Sequence, residues 1–309
     1  MTPNIFIDGA AGTTGLEIRE RLAVRTDLSL STLAEERRRD ARAREEAIND
    51  ADFVIFCLPD DAARGATGLI RNGRTRVIDA SSAHRVAEGW TYGFPELEPD
   101  GAERVARAAR VSNPGCYPTG FLALVRPLVR EGLIPADWPM TVNAVSGYSG
   151  GGKALIERFV DAPDLAFRAY AFELAHKHVP EMRLHAGLVH APVFAPSVSR
   201  AYRGMIVEVP LPLSAIPGRP SRAALLGALQ DVYRGQALVR VHDDQPGELL
   251  MRADAPPSDR LDLYVFAGSD GAQARLVATI DNLGKGAGGA AVQNLNLMAG
   301  LDPLAGLIL

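Results

Sequence analysis

An apolar strand followed directly by a glycine-rich loop and a helix opens this chain, and this order strongly constrains the fold. The strand is Asn4–Asp8 (NIFID), and the loop after it, GAAGTTG, has glycines at positions 9, 12 and 15. Small residues at this spacing let the backbone approach a pyrophosphate at the N-terminus of the next helix. A tight turn is the competing interpretation, but the flanking strand and helix favour dinucleotide binding. The predicted contacts come from Gly9, Gly12, Thr13, Thr14 and Gly15.

The N-terminal third of the chain alternates short apolar runs with helical patterns. Strands separated by helices of this length predict a parallel sheet with right-handed crossovers, and hence a doubly wound α/β domain. The predicted strands after the first are Leu28–Leu33, Asp52–Leu58 and Arg76–Ala80, and the predicted helices between them are Glu35–Ala51 and Asp60–Arg71.

From Cys116 onward the pattern changes to long strands with few helices between them. This predicts an α+β domain whose sheet is mostly antiparallel. Its predicted strands are Met140–Ser146, Met205–Leu213, Leu261–Gly268 and Ala274–Leu283, and its predicted helices are Pro118–Arg130, Pro180–Leu188 and Ser221–Arg234. The alanine-rich tail is again helical. We therefore expect residues 1–115, completed by 286–309, to form the nucleotide-binding domain and residues 116–285 to form the second domain.

Length, charge and cysteine content restrict the class of protein. A chain of 309 residues exceeds what one core usually supports, so two domains are expected. A net charge of −4 argues against a nucleic-acid partner or an anionic membrane surface. Neither a signal peptide nor an apolar stretch of about 18 residues is recognisable, and two cysteines are too few for a disulfide framework. These features predict a cytoplasmic protein without membrane or nucleic-acid partners.

The end of the second predicted strand distinguishes NAD from NADP. NAD enzymes usually place a carboxylate there to hold the ribose hydroxyls. This chain has Ser31 and Thr32, with Arg37 and Arg38 nearby and Glu35 as a competing acid. Hydroxyl and guanidinium groups suit a 2′-phosphate, so NADP is the predicted cofactor, with contacts from Ser31 and Arg37. Three residues at the end of a later strand are expected to line the same site: Cys57, Leu58 and Pro59.

Cys116 is the candidate nucleophile. It follows the turn Asn113-Pro114-Gly115, and Pro118 suits the first turn of a helix. A thiol at a helix N-terminus is favoured as thiolate by the partial positive charge there. The competing interpretation is a buried structural cysteine, which is the expectation for Cys57 in the apolar run FVIFCLP. Turn-forming residues on both sides of Cys116 favour the nucleophile.

The segment AHKHVPE supplies a candidate acid/base group. His178 and Glu181 are three residues apart, so the carboxylate can share a helix face with the imidazole and orient it. His176, His178 and Glu181 also have acceptable chemistry for a metal site, and surface histidines at a helix start are a third interpretation. Because no CxxC or HExxH pattern accompanies them, acid/base chemistry is favoured and no metal is predicted.

Two loops are candidates for binding an anionic substrate. DASSAHR follows a predicted strand, and at that edge of a parallel sheet ligands bind. Arg85 there can form a bidentate pair with a carboxylate, although solvent-facing loop residues remain an equal alternative. SGYSGGGK can bind phosphate through backbone N–H groups, but it lacks the spacing of an ATP-binding loop. The predicted substrate contacts are Ser81, Ser82, Arg85, Asn113, Ser146 and Gly147.

Taken together, these motifs resemble the short-chain (type 2) N-acetyl-gamma-glutamyl-phosphate reductase family. The similarity runs nearly end to end, through GAAGTTG, CLPDDAAR, DASSAHR, YGFPEL, SNPGCYPTG, VNAVSGYSGGGK, HKHVPEM and IDNLGKGAGGAAVQNLNLM. The combination of SNPGCYPTG with HKHVPE is the most specific part.

The resemblance implies an activity and roles for the residues above. Cys116 would accept the acyl group as a thioester, His178 or His176 would transfer the proton, and Glu181 would orient that histidine. Asn282 and Lys285 would belong to the segment that returns to the cofactor. The implied reaction is the NADPH-dependent reduction of a small acyl phosphate, N-acetyl-L-glutamyl 5-phosphate, to its semialdehyde in arginine biosynthesis. The resemblance also implies that residues 116–285 form the catalytic and oligomerisation domain of a homodimer or homotetramer.

Two alternatives remain open at this point. A related reductase acting on an aspartyl phosphate or on a carrier-bound aminoadipyl phosphate would keep the same chemistry. A non-catalytic NADP-binding regulator would keep only the first domain's function, and the presence of Cys116, His178 and Glu181 argues against it.

Overall fold

The computed structural model describes residues 2–309, which divide into two compact units. The first unit extends to Gly115 and includes Ala287–Ile308, and the second is Cys116–Gly286. Within residues 2–309, every helix is too short or too polar to cross a bilayer.

The first unit is built on a six-stranded, entirely parallel sheet with the strand order β2-β1-β3-β4-β6-β5. The strands are β1 (Asn4–Asp8), β2 (Ser29–Ser31), β3 (Phe53–Phe56), β4 (Arg76–Asp79), β5 (Thr91–Tyr92) and β6 (Arg110–Ser112). The helices are α1 (Thr13–Ala23), α2 (Ala41–Asp50), α3 (Asp60–Thr67), α4 (Gly101–Arg107) and, from the C-terminal segment, α9 (Gly289–Ala299). This confirms the predicted α/β dinucleotide-binding fold.

Both faces of the central strands are buried, as a parallel sheet covered by helices requires. Along β1, Ile5 and Ile7 pack into one core with α1 and α9, whereas Phe6 points into a second core on the opposite face. Successive side chains alternate between the two faces because the strand has a period of two.

Several elements of this unit are shorter than predicted, among them the strand expected over Asp52–Leu58, which is Phe53–Phe56, and the helix expected over Asp60–Arg71, which ends at Thr67. The helix expected over Glu35–Ala51 begins at Ala41, because the Asp40 side chain accepts a hydrogen bond from the Ala43 backbone N–H and fixes the helix start there. Residues 35–39 form a turn, so the arginines at 37–39 lie in that turn and not on a helix face. The second strand is reduced from Leu28–Leu33 to Ser29–Ser31.

The second unit contains a seven-stranded sheet with the order β11-β12-β13-β10-β7-β9-β8. The strands are β7 (Thr141–Gly147), β8 (Phe167–Ala169), β9 (Val193–Ser199), β10 (Met205–Leu211), β11 (Val239–His242), β12 (Leu261–Ala267) and β13 (Ala274–Ile280). Only the pairs β7–β9 and β11–β12 are parallel within the described chain, so the sheet is mixed and mostly antiparallel, as predicted.

Four helices accompany this sheet: α5 (Cys116–Arg130), α6 (Gly152–Asp161), α7 (Val179–Ala186) and α8 (Arg222–Val232). Helices α5 and α8 pack against β12, and α5 also packs against β10, β13 and α7. Helix α6 was not predicted, because the glycines that precede it indicated only a turn.

Candidate active site

The glycine loop after β1 requires glycine for steric reasons. Gly9 has φ +92°, and a Cβ atom at this position would lie 2.3 Å from the carbonyl oxygen of Cys57. A Cβ atom at Gly15 would lie 2.5 Å from the carbonyl oxygen of Gly9. Helix α1 begins directly after Gly12, and no side chain of residues 2–309 caps this helix start. The uncapped N–H groups of its first turn, which includes Thr13 and Thr14, are suited to bind a phosphate.

This loop forms one wall of a cleft of about 580 Å³ in the first unit. The volume is within the usual range for sites that bind small molecules and cofactors. The cleft brings together five of the predicted cofactor contacts, Gly9, Gly12, Cys57, Leu58 and Pro59. The residues present therefore fit a dinucleotide, both in the shape of the loop and in the size of the cleft.

The basic residues of the cleft differ from those predicted. Thr32, Arg38 and Arg39 line the cleft, whereas the predicted Ser31 and Arg37 do not. The Ser31 hydroxyl donates to the carbonyl oxygen of Ile5, 3.1 Å away. The Arg37 guanidinium lies 4.0 Å from the Glu46 carboxylate.

The two cysteines are both half-buried, so exposure alone does not distinguish them. Cys57 packs against the core on one side of the parallel sheet. Burial, with added effects from the nearby carboxylates of Asp79 and Asp8, raises the pKa of Cys57 to about 12. Cys57 is thus held as a neutral thiol at neutral pH.

The hydroxyl groups of the DASSAHR loop bind carboxylates of the protein itself. The Ser81 hydroxyl donates to one carboxylate oxygen of the fully buried Asp79 at 2.7 Å. The Nδ1 atom of His84 contacts the same oxygen at 2.6 Å. The Ser82 hydroxyl donates to Asp60 at 2.7 Å. Ser81 and Ser82 therefore hold this loop at the ends of β4 and α3.

Arg85 and Asn113 support the segment that precedes Cys116. The Arg85 Nε–H group donates to the carbonyl oxygen of Asn113 at 2.9 Å. The Asn113 amide donates to Ala287 and accepts a hydrogen bond from Asn294, each at 3.0 Å. Asn294, which the sequence patterns did not single out, is fully buried. These contacts fix the backbone of the Asn-Pro-Gly turn from within the first unit.

Cys116 is the first residue of α5, two residues earlier than the predicted helix start. The first turn of α5 contains no acidic side chain among the described residues, so none of its own carboxylates offsets the partial positive charge at the helix start. Gly286 lies against the cysteine, and a Cβ atom there would be 3.0 Å from the Cys116 Cβ atom. The position of Cys116 therefore depends on the absence of a side chain at residue 286.

The two histidines of HKHVPE have different surroundings. The His178 backbone N–H donates to the Nδ1 atom of His176 at 3.1 Å, so this nitrogen carries no proton. The Nε2 atom of His176 lies 3.4 Å from the Tyr170 hydroxyl. Both ring nitrogens of His176 are thus engaged. His178, buried at the start of α7, keeps its ring closer to Tyr117, with 5.8 Å between ring centroids against 6.2 Å for His176.

Two tyrosines connect the histidines to the cysteine. The Tyr117 hydroxyl donates to the carbonyl oxygen of Ser197 at 2.9 Å and lies 3.5 Å from the Tyr170 hydroxyl. Burial raises the pKa of both Tyr117 and Tyr170, and a negative charge on Cys116 adds to the rise at each. Both phenols therefore stay protonated near Cys116. The sequence patterns did not identify Tyr170, which is brought here only by the tertiary fold.

Three further predicted residues of the second unit, Glu181, Ser146 and Gly147, are buried. Glu181 is 1 % exposed in the first turn of α7. The Ser146 hydroxyl donates to the carbonyl oxygen of Gly147. A Cβ atom at Gly147 would lie 2.6 Å from the carbonyl oxygen of Tyr202, so glycine is needed there.

Asn282 and Lys285 lie in the segment that leads to Gly286. The Asn282 amide donates to the Ser149 hydroxyl at 2.9 Å and accepts a hydrogen bond from Gly204 at 3.0 Å. The Lys285 side chain is only 1 % exposed. Across residues 2–309, no three His, Cys, Asp or Glu side chains are arranged to hold a metal ion.

Comparison with known proteins assigns both units. Residues 4–105 match the family model "semialdehyde dehydrogenase, NAD binding domain", and residues 116–282 match "semialdehyde dehydrogenase, dimerisation domain". N-acetyl-gamma-glutamyl-phosphate reductase of Trichormus variabilis is 47 % identical over 99 % of both chains. N-acetyl-gamma-glutamyl-phosphate reductase 2 of Pseudomonas putida is 50 % identical over 97 % of both chains. This chain belongs to the N-acetyl-gamma-glutamyl-phosphate reductase family. The family, the oxidoreductase class and the nicotinamide dinucleotide cofactor predicted from the sequence are thereby confirmed.

Solved structures of more distant proteins share the fold of this family member. Aspartate semialdehyde dehydrogenase II from Vibrio cholerae, complexed with ASA, superposes with a TM-score of 0.71 at 16 % identity and covers 97 % of this chain and 98 % of its own. Aspartate semialdehyde dehydrogenase with NADP from Candida albicans has a TM-score of 0.65 at 13 % identity and covers 97 % of this chain and 99 % of its own. At these identities the likeness establishes the fold alone.

Proposed function

We propose that this chain reduces N-acetyl-L-glutamyl 5-phosphate to N-acetyl-L-glutamate 5-semialdehyde with NADPH and releases phosphate, as a cytoplasmic step of arginine biosynthesis. The observation that carries the proposal is the position of Cys116 at the first residue of α5, directly before Tyr117, whose ring centre lies 5.8 Å from that of His178. The names of the near full-length relatives supply the substrate.

The chemistry follows from a thiolate at a helix N-terminus. The Cys116 sulfur attacks the acyl carbon, and a C–S bond forms as the bond from this carbon to the phosphate oxygen breaks. Phosphate leaves and a thioester remains on Cys116. When bound, NADPH supplies the hydride that reduces the thioester carbonyl. The C–S bond then breaks, which releases the aldehyde, and backbone N–H groups at the start of α5 are placed to stabilise the oxyanion.

We assign the proton transfer to His178 and not to His176. A base needs a free lone pair, and the only one on neutral His176, at Nδ1, accepts the His178 backbone N–H. His178 would take the proton of the Cys116 thiol and return it to the departing sulfur. The buried Glu181, one turn further along α7, would orient the His178 ring.

We assign the recognition of the NADP 2′-phosphate to Arg38 and Arg39, with the Thr32 hydroxyl. These residues line the cleft beside the glycine loop, at the point where a 2′-phosphate is expected to follow the second strand. The guanidinium groups would bind the phosphate through paired N–H groups. Arg38 also pairs with Glu35 at 2.9 Å, so the same arginine neutralises the acid that competes for the ribose.

The reverse reaction tests this function. We expect phosphate-dependent reduction of NADP⁺ with N-acetyl-L-glutamate 5-semialdehyde, and an NADP⁺ efficiency at least about tenfold above that with NAD⁺. Arg38→Ala should lose most of this preference, whereas Arg37→Ala, outside the described lining of the cleft, should keep it. Turnover of an aspartyl or aminoadipyl semialdehyde in its place would refute the substrate, and equal efficiencies would refute the cofactor assignment.

We also propose that a second copy of the chain covers the sheet face opposite α5 and α8. On β12, Leu261, Leu263 and Val265 are buried beneath the helices, whereas Tyr264 and Phe266 on the other face are only half-buried. A half-exposed aromatic face is typical of a subunit contact. The matched family model is described as a dimerisation domain, which supports a homodimer or a larger assembly measurable by sedimentation.

A further inference from the structure

Arg168 is a half-buried cation that stacks on an aromatic ring. It lies on β8 at the edge of the mixed sheet, and its guanidinium carbon is 4.3 Å from the centre of the Tyr170 ring. Across residues 2–309, no carboxylate forms an ion pair with Arg168. By contrast, Arg203 of the same unit, which is also half-buried, pairs with Asp281 at 2.9 Å.

The ring under Arg168 belongs to the Cys116 cluster. The Tyr170 hydroxyl lies 3.4 Å from His176 Nε2 and 3.5 Å from the Tyr117 hydroxyl. Arg168 and Cys116 act on the same phenol with opposite sign, because a cation lowers the Tyr170 pKa and an anion raises it. One tyrosine therefore lies close to both the nucleophile and this guanidinium.

The backbone between Arg168 and His176 is strained. Ala171 and Leu174 both have φ of 60°, in the left-handed region that residues with a Cβ atom rarely adopt. Strain of this kind clusters at functional sites, where it is tolerated because it places particular side chains. Both residues lie in the short segment between Tyr170 and His176.

A guanidinium stacked on an aromatic ring keeps its N–H edge available for a planar anion. Stacking uses the face of the group, whereas a carboxylate binds to two N–H groups along the edge. We propose that Arg168 binds the α-carboxylate of the substrate while the opposite, acyl end reacts at Cys116. The assignment rests on the proposed function, and it makes Arg168 the residue that selects an acyl phosphate with a carboxylate at its far end.

Removing the charge from either partner tests this assignment. In the reverse reaction, Arg168→Met should raise the KM for N-acetyl-L-glutamate 5-semialdehyde on the order of 10- to 100-fold with little change in kcat, the range for a charged hydrogen-bond pair. The α-carboxamide of the same semialdehyde should have one high KM in both proteins. The KM of Arg168→Lys for the semialdehyde should lie between those of the wild type and Arg168→Met. Lysine keeps the positive charge but lacks the paired N–H groups that bind both carboxylate oxygens. Arg240→Met, an exposed arginine on β11, is the control.

Three results would overturn the assignment: an unchanged KM in Arg168→Met, an equal loss on the acid and the carboxamide, or a rise confined to the KM for phosphate. The last would mean that Arg168 binds the leaving group. If the wild-type protein does not turn over the semialdehyde, the proposed function fails by itself. Calorimetry with N-acetyl-L-glutamate then decides on Arg168: weaker binding to Arg168→Met supports it, and equal or absent binding to both proteins refutes it.

Discussion

Replacing Cys116 with serine is expected to lower turnover by at least about a thousandfold. An alcohol has almost no anion at neutral pH, and the helix N-terminus that stabilises a thiolate cannot supply enough energy to ionise a hydroxyl. Steady-state kcat in the reverse reaction, with circular dichroism to confirm folding, measures the loss. A serine variant with near wild-type turnover would remove Cys116 from the mechanism.

Alkylation separates the two cysteines without mutation. Because the pKa of Cys57 is raised to about 12, this thiol stays protonated at pH 8 and ionises only as the pH approaches that value. One equivalent of iodoacetamide at pH 8 should therefore label Cys116 and abolish activity while Cys57 remains unmodified. Inactivation that follows labelling of Cys57 would contradict the assignment.

The second large effect is expected at His178. His178→Ala should lower kcat by about 10² to 10⁴, the usual contribution of a positioned acid/base group. His176→Asn should cost only about tenfold, because an asparagine side chain can still accept the backbone N–H two residues on. His176→Ala loses this acceptor and should be more impaired than His176→Asn.

The pH dependence distinguishes a proton carrier from a residue that only positions it. The limb of the kcat profile that reports the acid/base group should disappear in His178→Ala and persist in His176→Asn. The opposite result would identify His176 as the proton carrier. In that case His176→Asn would have the lower kcat of the two variants, and its kcat profile would lack the acid/base limb.

Much of the first unit could be predicted because its signals are local. Strand β1, the glycine loop and α1 are adjacent in the sequence, and the apolar runs of β3 and β4 are flanked by turn-forming residues. The error at α2 has a local cause as well. Residues 35–39 are good helix formers, but the Asp40 cap places the helix start after them.

Several strands of the second unit cannot be predicted from local sequence, because contacts with neighbouring strands determine where they form. Strand β9 (Val193–Ser199) was missed, since Pro196 interrupts a pattern that would otherwise indicate a strand. In the sheet, β9 is held between β7 and β8, contacts that no short stretch of sequence reveals.

The candidate site shows the same division between local and tertiary information. Cys116 and the HKHVPE histidines are visible in the sequence because their neighbours form turns and helix starts. Tyr170 and Arg168 cannot be identified from the sequence, because they reach the site only through tertiary contacts. Arg168 stacks on the Tyr170 ring, and the Tyr170 hydroxyl lies beside that of Tyr117 on α5. Ser81 and Ser82 show the opposite case, in which hydroxyls suited to an anion bind Asp79 and Asp60 instead.

The central claim, a thioester on Cys116, can be tested directly by withholding phosphate. The enzyme is mixed with N-acetyl-L-glutamate 5-semialdehyde and NADP⁺, and both NADPH absorbance and intact mass are followed. We predict a burst of one NADPH per active site and one N-acetylglutamyl group on the peptide that contains Cys116, released when phosphate is added. Steady turnover with phosphate, but neither a burst nor an acyl group on Cys116 without it, would contradict the thioester mechanism.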